Sequence, residues 1–460
     1  MSEKHVLTAW FVCLSLFVCF NVSYGQGPSQ GDGQKVVLTL EECIKKAVQF
    51  SPEIGESRYE EEVYRSKKLQ ADSAVYPQIE VIVTTGVSPE AKEDEFLKTD
   101  VVDKSFNGVF GRIDYSLIQP IYTFGKIEGY RKAASSGVKV AHAGVEKKTS
   151  DIVLRTKELY YGLLLAKDLR NLVLEIRDDL VNSISKAERQ IEQGSPWADE
   201  TNLFKLKAFM GGVENNLNEA EKGISLARDA LMTSMGLPKG MEFSTADSSL
   251  VPEEKEPDTL NTFEQMAVTL RPEFTQLQEG LKARDALISV EKSNYYPQIF
   301  LAVKGYISGA TNRDRIRNPY VYDIFSDTVG AAFLGLKWSM DFGITEGRVK
   351  EAKAEYSKLL EKKRFVDEAI PLQVRKAYLD LEEAKKNVVE TEKGYKNAKK
   401  WLVTAIANFD LGIGEAKEIG EAAVLYAKLK ADNLRSLYNQ RLAYANLLYA
   451  AGTALKEIQW

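Results

Sequence analysis

Hydrophobic positions along this chain change their period in a fixed order, and the whole order occurs twice. Over 38–74 apolar residues recur at helical spacing, interrupted at Ser51-Pro52, where proline suits a helix start. Tyr76-Pro77 closes that stretch, because the residue before a proline is pushed out of helical geometry. Over 78–86 the period becomes two, with Ile79, Val81 and Val83 alternating against Glu80, Ile82 and Thr84. A second alternating run over 109–117 sets Val109, Ile113, Tyr115 and Leu117 against Arg112, Asp114 and Ser116, and a polar loop joins the two as a hairpin. Helical spacing then resumes from Gly125 to Gln193 without a turn cluster, stops at Gly194-Ser195-Pro196, and returns over 198–235.

About 220 residues later the pattern repeats. Tyr76-Pro77-Gln78-Ile79 returns as Tyr296-Pro297-Gln298-Ile299, and Ser51-Pro52-Glu53 as Arg271-Pro272-Glu273. Phe124-Gly125 corresponds to Phe342-Gly343, and Tyr160, Leu163, Ala166 and Lys167 to Tyr378, Leu381, Ala384 and Lys385. So long a period describes two half-domains that complete one another rather than a solenoid. The chain divides into a signal segment 1–25, a flexible leader 26–37, a first repeat 38–235, a linker 236–259 with three prolines, and a second repeat 260–460. The first repeat holds strands 78–87 and 107–118 and a helical hairpin 126–235; the second holds strands 298–307 and 328–341 and a helical hairpin 344–457.

Two lengths are informative. Each strand is long enough to cross a bilayer at a tilt, for which about 9–11 residues suffice. Four strands cannot close a barrel, which needs about eight, so neighbouring chains must cover the edges if the strands lie in lipid. Each outgoing helix of more than 60 residues is far longer than a compact domain requires. In the second copy Ile370, Val374, Ala377, Leu381, Ala384, Val388, Thr391, Tyr395, Ala398, Leu402, Ala405 and Phe409 keep strict 4-3 spacing, a coiled-coil seam, with Pro371 expected to kink it.

Composition narrows the function. Lys4 and His5 precede an apolar stretch ending at Val22, and Ser23-Tyr24-Gly25 offers a cleavage site before Gln26, so export is expected. Val18 before Cys19 argues against lipidation. Beyond the signal only Cys43 and His142 remain of their kinds, which leaves no disulfide, no His-based catalytic or zinc arrangement, and no cofactor to expect. With 61 basic and 66 acidic residues the formal charge is −5, and nucleic acid is not expected as a partner. An exported chain without an apolar helix of spanning length is either a soluble envelope protein or enters a membrane as strands.

The chain resembles the TolC family of outer-membrane efflux proteins over its whole mature length. The resemblance is carried by the duplicated Tyr-Pro-Gln-Ile, strand-pair and long-helix unit, by Gln119-Pro120-Ile121-Tyr122 before Phe124-Gly125, by Asp341-Phe342-Gly343, and by Phe409-Asp410-Leu411-Gly412. It implies a mainly α fold with a membrane β-barrel portion: a homotrimer whose 12-stranded barrel in the outer membrane of a Gram-negative bacterium continues as an α-helical periplasmic tunnel. It further implies a passive exit duct for a tripartite efflux pump or type I secretion system, with a periplasmic adaptor and an inner-membrane transporter as partners. A soluble periplasmic coiled-coil scaffold or adaptor is the competing reading, and no enzyme activity is expected. On this resemblance Asp410, Glu415, Glu418 and Glu421 are candidates for acidic gate rings, against their reading as a solvated helix face. The extra Gly414 and Gly420 depart from the family's usual form there. Gly194, Ser195, Pro196, Gly412, Ile413 and Gly414 fall at adaptor-contact tips, where they also serve as helix caps. Glu80, Thr84, Arg112 and Asp114 should line the barrel lumen, with Val81, Val83, Ile113 and Tyr115 toward lipid. Tyr76, Tyr122, Tyr295, Tyr296 and Trp338 are either interfacial girdle residues or packing at the sheet-to-helix junction.

Overall fold

A computed structural model describes residues 36–93, 100–102, 105–194, 199–238, 241–314 and 323–457, so the signal segment and most of the leader lie outside the described residues. Each repeat opens with a helix pair broken at a proline: α1 (Leu40–Phe50) and α2 (Pro52–Ser73), then α5 (Leu260–Leu270) and α6 (Pro272–Ser293). Thr39 and Glu42 close a reciprocal capping box on α1, and Ser51 Oγ accepts the N–H of Ile54 to start α2. Naming the remaining elements in chain order, the end of the leader forms β1 (Val36–Leu38), the first hairpin is β2 (Gln78–Ser88) and β5 (Gly108–Tyr122), and its loop carries the short strands β3 (Ala91–Glu93) and β4 (Asp100–Val102). The first helical hairpin is α3 (Lys126–Glu192) and α4 (Glu200–Ser234), and β6 (Phe243–Thr245) follows in the linker. The second copy holds β7 (Gln298–Ala310), β8 (Thr328–Lys337), α7 (Ile344–Asp410) and α8 (Ala416–Ala450).

The two hairpins join edge to edge into one antiparallel sheet of order β2-β5-β7-β8. Pro120 has no N–H to give the ladder, and the β5–β7 register slips between it and Tyr122. β8 stops at Lys337, so Trp338 to Asp341, expected as strand, are irregular. Where β5 and β8 hand over to helices, Gly125 and Gly343 have φ of 87° and 121°, and Phe124 shares the left-handed region at 49°.

Each outgoing helix has 67 residues, about 100 Å at 1.5 Å per residue. The α7 seam faces α8: Val374 and Leu381 are fully buried, and nine of its twelve residues are buried while Ala377, Thr391 and Tyr395 are half-buried. The helix continues through Pro371. Along α3, Leu163, Leu164, Leu172, Ile176 and Leu180 join α1, α4, α7 and α8 in one core, while Phe263 of α5 with Ile370 and Leu447 forms a second.

The leader and linker are less passive than expected from their composition. Val36–Leu38 pairs in parallel with Phe243–Thr245, and the linker is stitched to the helices. Lys167 donates to Thr245 Oγ1 at 2.6 Å and Tyr160 to Asp247 at 2.7 Å, while the repeat partner of Lys167, Lys385, holds Glu256 at 2.8 Å. Duplicated lysines thus grip successive stretches of one belt. Asp168, which accepts the N–H of Leu250 at 2.8 Å, is buried there, and burial raises its carboxyl pKa.

Candidate functional site: a polar strand face and two helical tips

Strand pairing decides which side chains share a face. Glu80 stands opposite Ser116, Ile82 opposite Asp114 and Thr84 opposite Arg112, and β7 extends these rows with Lys304, Tyr306 and Ser308. Glu80, Thr84, Arg112 and Asp114 therefore lie on one face. Arg112 reaches Asp114 at 2.6 Å and lies over the Tyr306 ring, 4.0 Å from its centroid. The opposite face is mainly apolar, with Ile79, Val81 and Val83, then Ile113, Tyr115 and Leu117, then Leu301, Val303 and Ile307, then Ala332, Leu334 and Leu336, and it carries Gln119 and Thr328 among its polar residues. Val83 and Leu334 are 70% and 71% exposed in the single chain. Tyr115 spans this face over two glycines: a Cβ on Gly305 or Gly330 would stand 2.4 or 2.7 Å from its hydroxyl. At the junction below, Tyr122 meets Phe124 edge-on and Phe124 stacks on Tyr296 at 4.9 Å, so those two tyrosines pack the strand-to-helix turn. Tyr76, Tyr295 and Trp338 remain largely exposed.

At the far end of α7 the chain reverses through a Schellman cap. Gly412 (φ 74°) donates to the Phe409 carbonyl at 3.0 Å, and Ile413 N–H to that of Asn408 at 3.0 Å. A Cβ on Gly414 would lie 2.9 Å from the Cβ of Asn408, so the reversal is too tight for a side chain there. The turn displays Leu411 and Ile413, 73% and 76% exposed. The other tip holds Gly194 at φ 64°; Ser195 and Pro196 lie outside the described residues.

The four acidic candidates separate into different surroundings. Asp410 forms an ion pair with Lys186 of α3. Glu421 is 3.7 Å from Lys417. Glu415 and Glu418 are exposed and without an ion pair among the described residues.

A second link between the hairpins was not visible in the sequence. Lys399 of α7 reaches Glu175 of α3 at 2.7 Å, and Tyr426 of α8 donates to the same carboxylate at 3.1 Å. Glu175 precedes Lys186 by eleven residues and Lys399 precedes Asp410 by eleven, so α3 and α7 run parallel and meet again three turns on, with charges reversed. Burial and the Glu175 charge push the Tyr426 hydroxyl up to about 12, so it stays a donor at neutral pH. Gly420 also has a partner: a Cβ there would fall 2.0 Å from the Phe209 ring of α4. Next to this contact an apolar groove of about 670 Å³ opens between α3, α4 and α8, lined by Leu172, Ile176, Phe209, Val213, Ala423 and Ala427.

Residues 264–453 match the family model described as outer membrane efflux protein. The fold is that of several solved outer-membrane channels. CmeC of Campylobacter jejuni superposes with a TM-score of 0.74 at 14% identity, covering 94% of this chain and 91% of that one. VceC of Vibrio cholerae gives 0.72 at 14% identity, covering 90% and 96%. The open state of MtrE from Neisseria gonorrhoeae gives 0.70 at 15% identity, covering 94% and 95%. No curated protein matches the chain by sequence.

Proposed function

We infer that this chain, which carries an outer membrane efflux protein domain over residues 264–453 and has the fold of the outer-membrane efflux channels, is itself the outer-membrane exit duct of a tripartite export machine. The observation that carries the reading is the sheet: four long strands, one face mainly apolar and open, both edges unpaired among the described residues, at the end of helices about 100 Å long. In water such a sheet would aggregate through its edges. In lipid it requires closure, because no backbone donor can be left unpaired. A second and third copy, pairing β2 of one chain with β8 of the next, would give twelve strands around the polar face. The homotrimer, the lipid belt on the Val81/Val83/Ile113/Tyr115 face and the lumen at Glu80, Thr84, Arg112 and Asp114 belong to this proposal.

The duct conducts passively, and cargo choice rests with an inner-membrane transporter reached through a periplasmic adaptor. We place adaptor contact at the tips, Gly194-Ser195-Pro196 and Gly412-Ile413-Gly414, and the narrow end at Asp410, Glu415, Glu418 and Glu421. Two exposed apolar side chains on a rigid turn are a natural docking anchor. Replacing Ile413 with Asp should therefore abolish efflux while trimer yield and outer-membrane recovery stay at parental levels. Efflux at the parental rate would remove Ile413 from the contact.

A further inference from the structure

The join between the two copies of the repeat is a template for a contact that a single chain leaves unmade. In the helical layer next to the sheet, α3 packs between α2 and α6, and α6 between α3 and α7, so α2 and α7 end the row. At the α3–α6 join Gly129 is buried, and a Cβ on it would stand 2.6 Å from Val290 of α6 and 3.0 Å from the Ala286 carbonyl. Lys126 donates to Asn294 Oδ1 at 3.1 Å, and Phe124 stacks on Tyr296 beside it.

The matching positions at the two ends of the row are open. Counting 218 residues forward from α3, as Phe124 maps to Phe342, Gly129 becomes Gly347 of α7. Counting 220 back from α6, as Tyr296 maps to Tyr76, Ala286 and Val290 become Ser66 and Gln70 of α2. Gly347 has nothing within 4 Å of where a Cβ would stand, and Ser66 and Gln70 are exposed, whereas Ala286 and Val290 are buried. Phe342 is fully exposed and Tyr76 67% exposed, although Phe124 is half-buried in its stack. Lys126 and Asn294 become Ile344 and Ala74, so a hydrogen-bonded pair is exchanged for an apolar one and complementarity is kept.

The strands carry the same template. β5 meets β7 with Tyr122 opposite Ile299, and these become Met340 and Ile79. Trp338 to Asp341 have no strand partner among the described residues, because β7 begins at Gln298, opposite Lys337. Their alternation nevertheless continues that of β8, with Trp338 and Met340 following Leu334 and Leu336. β8 shows no slip of the kind at Pro120, so with Met340 opposite Ile79 the unbroken count sets Trp338 opposite Val81 and Leu336 opposite Val83. Apolar residues then face apolar residues along the seam, as a correct register requires.

We propose that a second copy of this chain completes the junction, its α2 lying on α7 as α6 lies on α3, with Phe342 stacked on Tyr76 of the next copy and Gly347 beneath that copy's Ser66 and Gln70. The same docking draws Trp338–Asp341 into strand against the next copy's β2. The inference rests on the duct reading and names the side chains at its subunit seams. A glycine in an exposed helical turn weakens the helix, whereas under a neighbouring helix it permits close approach. Gly347 therefore serves the assembly rather than the single chain.

The test is disulfide formation in isolated outer membranes under mild oxidation. Gln70→Cys with Gly347→Cys in one chain should give covalent dimers and trimers on non-reducing gels, and neither single variant should, the native Cys43 being buried. Arg58→Cys with Gly347→Cys, about 18 Å further along α2, should give no ladder. A ladder from the Arg58 pair, or from neither pair while the solubilised parent has the mass of a trimer, would overturn this junction and leave the duct standing. A parent that is monomeric by mass would overturn the duct reading and the junction together. Gly347→Leu gives a second reading: an exposed helix position takes Leu better than Gly, so the chain should accumulate normally while trimer yield falls about fivefold or more. Trimer at the parental yield would remove Gly347 from the contact and overturn the docking.

Discussion

Gly420 shows how much one missing methyl can decide. It lies on the buried face of α8, against Phe209 of α4, where a Cβ would intrude to 2.0 Å from the ring. Helix propensity alone favours Ala over Gly by about 1 kcal/mol. The collision is larger in effect, because overpacking a close helix contact costs about 1–3 kcal/mol. Gly420→Ala should therefore lower the thermal midpoint of the detergent-solubilised protein, and adding Phe209→Ala should recover part of the loss. A midpoint that rises in the single variant would show that the ring moves aside freely. From sequence, Gly420 reads only as a departure from the family's usual pattern; its cause lies in α4, more than 200 residues away. Asp410 teaches the same lesson: its acidity was legible, its neutralising partner Lys186 was not.

Among the elements, the long helices were the most legible part of the chain, because a seam repeating every 3.5 residues needs only local sequence. The two helical hairpins share one apolar core, and the polar links that fix their offset are few by comparison. The links seen between α3 and the second hairpin near the tips are Lys186–Asp410 and the Glu175 carboxylate shared by Lys399 and Tyr426. Partly exposed pairs of this kind contribute roughly 0–1 kcal/mol each, so losing them should leave the fold intact. They do set the relative position of two stiff rods, and motion at one end of a rod is carried to its tip. Glu175→Ala combined with Lys186→Ala should raise single-channel conductance with little change in thermal midpoint. Unchanged conductance would mean that the clamps do not restrain the narrow end. The pairings escape sequence reading because the α3–α7 offset is 224 residues, whereas the repeat offset is 218 at Tyr160 and Tyr378. The internal duplication therefore does not predict them.

For the whole molecule, alternation and strand length located the sheet, and the shared face of Glu80, Thr84, Arg112 and Asp114 follows from period two alone. The belt formed by the leader and linker was not legible: Val36–Leu38 and Phe243–Thr245 are too short to stand out, and they pair across about 200 residues. Closure of the sheet likewise lies beyond one chain, since its edges β2 and β8 have no partner among the described residues. The account stands on that closure. Planar-bilayer conductance of the purified, detergent-solubilised protein, with mass determined on the same sample, tests it most directly. A trimer giving small, cation-selective steps, as an acidic narrow end would impose, is the predicted result. A soluble species that extracts without detergent and gives no conductance would contradict it, and would leave a periplasmic coiled-coil scaffold in its place.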